Sequence, residues 1–178
     1  RGHLDGTPVA AAYSVLSQRI VVGTQEGKLV WLDPISDEAQ SPTRTLFLDH
    51  PITRLAVFDG GRRAIVAGAD WAGLVDLASA RLVATLAGGA GADDIVFSRN
   101  FAYLTYARSG RASLWSLADL RAGRGARPLD VMTGSPASDA VETPSLHRAV
   151  ADPDGGGLLV ASPAAGMIFQ YREGLQAP

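Results

Sequence analysis

Apolar and polar residues recur along the chain in one order: strand, tight turn, strand, tight turn, strand. This order is found in residues 10–33, 52–77, 92–117 and 146–173. The first turn of each copy is rich in Asp, Asn, Ser and Gly, which tolerate positive φ or bond to their own backbone. The pattern therefore predicts a three-stranded antiparallel unit that is repeated along the chain.

A glycine stands near the start of the third strand in every copy. The four glycines are Gly27, Gly73, Gly110 and Gly166. A residue without Cβ suits a turn in which a side chain would be strained. We expect each of these glycines to lie in the second turn, directly before the third strand.

The middle strands are almost continuously apolar, as in the stretches AIVA and LLVA. A sheet with one face in water would alternate apolar and polar residues, so both faces of these strands should be covered. Blades stacked around an axis cover both faces of each sheet, and the repeat length of roughly 45 residues is typical of propeller blades. The prediction is an all-β protein, a β-propeller; a β-sandwich and a β-solenoid are the alternatives.

The predicted organisation is about four consecutive four-stranded antiparallel blades. The repeat units are 9–48, 52–87, 92–132 and 146–178, and an insertion over 118–147 is expected to project from one face. Outer strands are predicted at 43–48, 81–87 and 126–132, and a short helix at 116–122. We expect a segment of a larger ring of about seven or eight blades, with a small closed four-bladed ring as the alternative.

Composition and charge restrict the classes of function. The chain is 47% hydrophobic and 19% charged, which is typical of a globular domain. Its net charge of −2 does not favour a nucleic-acid partner. The sequence has no cysteine and no apolar run that approaches the length of a membrane-spanning helix. We therefore predict neither a thiolate site nor a transmembrane segment.

Two stretches carry a resemblance to known repeat families. FDGGRRAIVAGADWAGLVDLASARLVATLAG and FSRNFAYLTYARSGRASLWSLADL resemble blades of the YVTN-type and WD-type propeller repeats. His50 lies near the position of the WD family's loop histidine, whereas the terminal Trp-Asp pair of that family appears only as Leu32-Asp33, Val75-Asp76 and Trp115-Ser116. The YVTN resemblance implies a bacterial periplasmic or secreted protein related to the propeller domain of haem-containing nitrite reductases. It transfers no haem ligand to this chain.

The histidines give no metal motif. His3, His50 and His147 are far apart in sequence, and no pair has metal-ligand spacing. His50 and His147 each precede a first strand, so a propeller could bring them to one face beside the central channel. The alternative is that each satisfies a loop backbone group or faces solvent. No metal site is predicted.

Two further features are candidates for partner binding. Arg121, Arg124 and Arg127 form a basic patch that could contact an acidic partner. The alternative is that these arginines belong to a solvent-exposed loop with no binding role. Trp71 lies beside a turn, where partial exposure would let it anchor a partner. The other two tryptophans, Trp31 and Trp115, lie in third strands and are expected to pack between blades.

No residue set indicates catalysis: there is no G-x-S-x-G motif and no glycine pattern of a phosphate-binding loop. The leading hypothesis is a non-catalytic extracytoplasmic module that binds a protein or peptide through a loop-lined face, with no cofactor. One alternative is a periplasmic redox protein that binds haem or a metal through ligands partly outside this chain. Another is an intracellular WD-like scaffold.

Overall fold

The computed structural model describes residues 4–33, 44–106, 111–124, 127–133, 148–151, 157–162 and 167–172. These residues form four antiparallel sheets, each a meander of strands that follow one another in sequence. The first blade contains β1 Pro8–Ser14, β2 Arg19–Thr24, β3 Lys28–Leu32 and β4 Arg44–Phe47. The second contains β5 Arg54–Phe58, β6 Arg63–Ala67, β7 Ala72–Asp76 and β8 Arg81–Thr85.

The third blade contains β9 Asp94–Phe97, β10 Phe101–Tyr106, β11 Arg111–Ser116 and β12 Asp130–Thr133. The fourth has three described strands, β13 Arg148–Ala151, β14 Gly157–Ser162 and β15 Met167–Arg172. The first strands β1, β5, β9 and β13 contact one another in that order, so they form the inner edge of the array. This arrangement of successive four-stranded sheets confirms the predicted β-propeller blades.

Tight turns occur where the sequence predicts them. Between β1 and β2, Gln18 has φ of 52°, and between β5 and β6 a short 3-10 turn spans Asp59–Gly61 with positive φ at all three residues. These are left-handed conformations, which Gly and Asp adopt more readily than most residues do.

The second-turn glycines differ from one another. Gly27 lies in its turn with φ of 80°, as predicted. The prediction is wrong for Gly73, which lies within β7. Its missing Cβ leaves space for the ring of Trp71 and the side chain of Leu82. Gly110 and Gly166 lie outside the described residues.

Middle strand β6 is covered on both faces, as its continuous apolar sequence predicts. Ala64 and Val66 pack in a core shared with the first blade. Ile65 and Ala67 alternate with them and pack in a second core, shared with the third blade. We call these the first and second inter-blade cores. Trp31 is buried in the first core and Trp115 in the second, which confirms the predicted packing of these residues between blades.

The outer strands at 44–47 and 81–85 confirm their predictions. The third begins only at Asp130, because Pro128 has no N–H to donate and Leu129 makes an isolated bond to the Leu114 carbonyl. None of the described helices is long and apolar enough to cross a membrane.

The predicted helix is confirmed as α1 Leu117–Arg121, whose N-terminal amide at Asp119 donates to the Ser116 hydroxyl. Leu117 and Leu120 are buried in the second inter-blade core. Segment 118–147 therefore begins packed against the blades at Leu120, and its projection from one face stays a prediction. Residues 134–147 lie outside the described part of the chain.

Candidate functional site

One face of the array is formed by the described loops that precede first strands. Because each blade is an antiparallel meander, the described turns between second and third strands lie on this same face. The described loops here include 25–27, 48–53, 68–71 and 86–93. We call this the entrance face. The opposite face carries the described turns between first and second strands and the described connections between third and fourth strands.

A cleft of about 490 Å³ opens on the entrance face between the second and third blades. The second blade contributes Thr53, Arg54 and Ala69 to its wall. The third contributes Tyr106 and the segment Gly91–Asp93 that leads into β9. Buried Ala92 separates the cleft from the core below. The cleft therefore lies where two blades diverge above their shared apolar contact.

Register places Arg54 in this cleft. Arg54 pairs with Ala67 across β5 and β6, and cross-strand partners point to the same side of a sheet. Ala67 belongs to the second inter-blade core. The Arg54 side chain must therefore point toward the third blade, at the outer end of that core.

The Arg54 guanidinium is held by backbone carbonyls from two blades. Its Nε donates to the Asp93 carbonyl at 2.5 Å, and Nη1 donates to the Thr53 carbonyl at 2.8 Å. The threonine is fixed in turn, because its Oγ1 donates to the Ala67 carbonyl at 3.1 Å. Carbonyl oxygens orient a guanidinium but leave its charge uncompensated. Among the described residues, no carboxylate lies within ion-pair distance of Arg54.

Tyr106 forms the opposite wall. Its hydroxyl donates to the Gly88 carbonyl, which ties the end of β10 to the loop that leaves the second blade. Burial raises the pKa of Tyr106 above its ordinary value of 10.0. The phenol therefore stays protonated at neutral pH and serves as a donor. The guanidinium carbon of Arg111, the cross-strand partner of Tyr106, lies 5.8 Å from the ring centroid.

His50 also lies on the entrance face, between the first and second blades. Its ring stacks on the ring of Trp71 with centroids 5.1 Å apart and planes 6° apart. Trp71 is only 6% exposed, so the expectation that it is partly exposed is wrong. It lies in the first inter-blade core, under His50 and against Gly73. Whether Trp71 contacts a partner stays a prediction.

The described part of the chain contains no group of three or more acidic or histidine side chains close enough to hold a metal ion. His147 lies outside the described residues, and so does His3. The structure therefore does not test whether His50 and His147 approach each other. The haem or metal alternative stays a prediction.

Two arginines of the predicted basic patch form ion pairs. Arg121 pairs with Asp59 of the second blade at 3.1 Å, and Arg124 pairs with Asp119 at 3.3 Å. The first pair links α1 to the turn between β5 and β6, so it lies on the face opposite the cleft. Arg127 is exposed. These pairs reduce the positive charge that Arg121 and Arg124 could offer, and their role in partner binding stays a prediction.

Sequence reasoning missed the cleft residues. Arg54 directly precedes the apolar stretch LAVF, and a charge at the end of a strand is common on protein surfaces. The signal in the sequence was the alternation of side chains along β5. Arg54 lies two and four positions before Ala56 and Phe58, which face the third blade, and residues at this spacing lie on one face of a strand. The contribution of Tyr106 depends on how the next blade packs, which no local pattern encodes.

Comparisons with known proteins identify the fold. No protein-family model matches the chain, and no curated protein matches it. Among solved structures, the β-propeller domain of Cps50 (Swd1) from Myceliophteria thermophila is similar, with a TM-score of 0.65 and 15% sequence identity. The match covers 93% of this chain and 53% of that one, so this chain spans about half the length of the neighbour. The likeness shows the propeller fold. The YVTN and nitrite-reductase relation stays a prediction.

The chemistry available in the cleft is that of binding. It offers a fixed guanidinium on one wall and, on the other, a phenol whose oxygen can accept while its proton is donated to the Gly88 carbonyl. Charge-assisted hydrogen bonds of this kind are stronger than neutral ones and are directional.

Proposed function

We propose that this protein is an interaction module that binds a protein or peptide partner through the entrance face. The observation that carries the proposal is the inter-blade cleft with its backbone-anchored Arg54 and Tyr106. Preorganised polar groups in a concave site favour binding, because little side-chain entropy remains to be lost. The propeller fold of the structural neighbour is compatible with such a role.

The proposal includes an extracytoplasmic location in a bacterium, for which the YVTN resemblance is the support. Fractionation of cells that express the complete gene, followed by immunodetection, tests it. Recovery of the protein in the periplasm or medium is expected. Recovery only in the cytoplasm would favour the intracellular scaffold.

Peptide display with matched blocking variants tests the binding role. Ala69 is exposed in the cleft wall, and Ala78 is exposed on the opposite face in the connection between β7 and β8. We expect the wild type and Ala78→Trp to enrich the same peptide families from a random dodecapeptide library. Ala69→Trp should lose them, because an indole fills the cleft mouth.

Circular dichroism of both variants should match the wild type, since both substituted side chains are exposed. The binding role is contradicted if the wild type enriches no peptide family. An entrance-face site is contradicted if Ala69→Trp selects the same peptides as Ala78→Trp.

A further inference from the structure

The charges around the cleft are unevenly compensated. Arg54 is exposed at the mouth, and Arg111 is exposed beside Tyr106. Neither forms an ion pair with a described carboxylate. Arg54 lies in the wall of the cleft, and Arg111 stands beside that wall through its contact with the Tyr106 ring. An opposite charge from outside would complete this site.

The bonding of Arg54 leaves a defined set of donors. A guanidinium has five N–H groups in a planar fork. Nε and one N–H of Nη1 are used by the carbonyls of Asp93 and Thr53. No other bond to a described residue uses the remaining Nη1 hydrogen or the two Nη2 hydrogens. These two nitrogens form the end of the fork that can bind the two oxygens of a carboxylate.

We propose that this cleft binds an acidic peptide segment, in which an Asp or Glu carboxylate bonds to the terminal nitrogens of Arg54 and a neighbouring acidic residue meets Arg111. The inference rests on the proposed function and assigns its site and partner chemistry. The two terminal nitrogens of the Arg54 fork match the two oxygens of a carboxylate.

The experiment uses fluorescence polarisation with labelled synthetic dodecapeptides. One set has Asp or Glu at adjacent central positions, a second has Asn or Gln there, and a third has phosphoserine. We expect the wild type to bind members of the acidic set at least tenfold more tightly than their amide counterparts. Affinity should fall as salt increases, because the contact is between exposed charges.

Matched variants locate the contact. Arg54→Gln removes the guanidinium, and Arg99→Gln removes an exposed arginine from the turn between β9 and β10 on the opposite face. Both change the net charge equally. We expect Arg54→Gln to weaken acidic-peptide binding at least tenfold and Arg99→Gln to change it less than twofold. Arg54→Lys should give an intermediate loss, since a point charge remains without the fork.

A second pair leaves the bonds of Arg54 intact. Ala69→Glu places a carboxylate in the cleft wall, whereas Ala78→Glu places one on the opposite face. Only Ala69→Glu should abolish binding of the acidic set. This pair tests the contact even if Arg54→Gln disturbs the loops that its side chain joins.

Four outcomes would overturn the inference. If acidic and amide peptides bind equally and Ala69→Trp still blocks them, the proposed function stands but the cleft does not recognise a carboxylate. Tighter binding of the phosphoserine set would replace the ligand class. Equal losses of affinity in Arg54→Gln and Arg99→Gln would show nonspecific electrostatic attraction to the protein surface. Absence of all peptide binding would contradict both this inference and the proposed function.

Discussion

Gly27 and Gly60 both adopt left-handed backbone, with φ of 80° and 65°. Their surroundings differ. A Cβ on Gly27 would lie 2.5 Å from the His50 carbonyl oxygen, whereas a Cβ on Gly60 would meet nothing within 4 Å. The first glycine therefore permits the close approach of the β2–β3 turn to the connection that leads into the second blade, whereas the second has open space beside it.

Substitution by alanine should separate these two roles. Gly60→Ala should lower the free energy of unfolding by roughly 1 kcal/mol, the cost of a left-handed residue with a side chain. Gly27→Ala should cost roughly 2 to 4 kcal/mol, because a collision with the His50 backbone adds to the backbone strain. Urea unfolding followed by circular dichroism measures both. Equal losses would contradict the close approach at Gly27.

Individual strands show why the repeat can be recognised in the sequence. Strand β6 is buried on both faces, whereas outer strand β8 exposes most of its residues. Apolar residues run continuously in β6 because neighbouring blades cover both of its sides. The position of a strand within its blade therefore sets its composition.

Substitutions in β6 and β8 test this difference. Ile65→Ala should cost roughly 2 to 5 kcal/mol, and Val66→Ala roughly 2 kcal/mol, because each residue is fully buried on a different face. Val83→Ala in β8 is the control and should change stability by about 0.5 kcal/mol or less. Denaturant titration gives all three values. A negligible effect at either 65 or 66 would mean that one face of β6 is open to water.

At the scale of the whole molecule, the second blade connects the two inter-blade cores. Residues of β6 and β7 contribute to both, since alternate side chains point to opposite neighbours. Loss of this blade would expose both cores at once. Repeat arrays coupled through such interfaces unfold cooperatively when the interfaces dominate the stability of single units.

This coupling can be measured with 5-fluorotryptophan and ¹⁹F NMR. Trp31 and Trp71 report on the first inter-blade core, and Trp115 reports on the second. Ile65→Ala removes volume only from the second core. We nevertheless expect the unfolding midpoint in urea, as reported by each of the three tryptophan resonances, to fall by the same amount. A lower midpoint for Trp115 alone would show that the blades unfold independently.

The propeller fold was readable from the sequence because its determinants are local and repeated. Turn residues, outer strands and the apolar middle strands each follow from the environment of one chain segment, and repetition makes each signal visible several times. The burial of Leu120 was not foreseen, because the glycine and arginines around it indicate an exposed loop, whereas a neighbouring blade buries it. Trp71 was misjudged because its position beside a turn indicates exposure, whereas His50 and the first blade cover it.

Only the tertiary structure decided where the candidate site lies. Arg54 and Tyr106 are 52 residues apart and belong to different blades. They share a cleft because β5 and β9 are adjacent and both blades diverge at the same end. The sequence determined which segments form strands and turns, since that depends on side-chain size, polarity and backbone freedom. The packing of one blade on the next determined which charges meet, because it depends on contacts between residues distant in the chain.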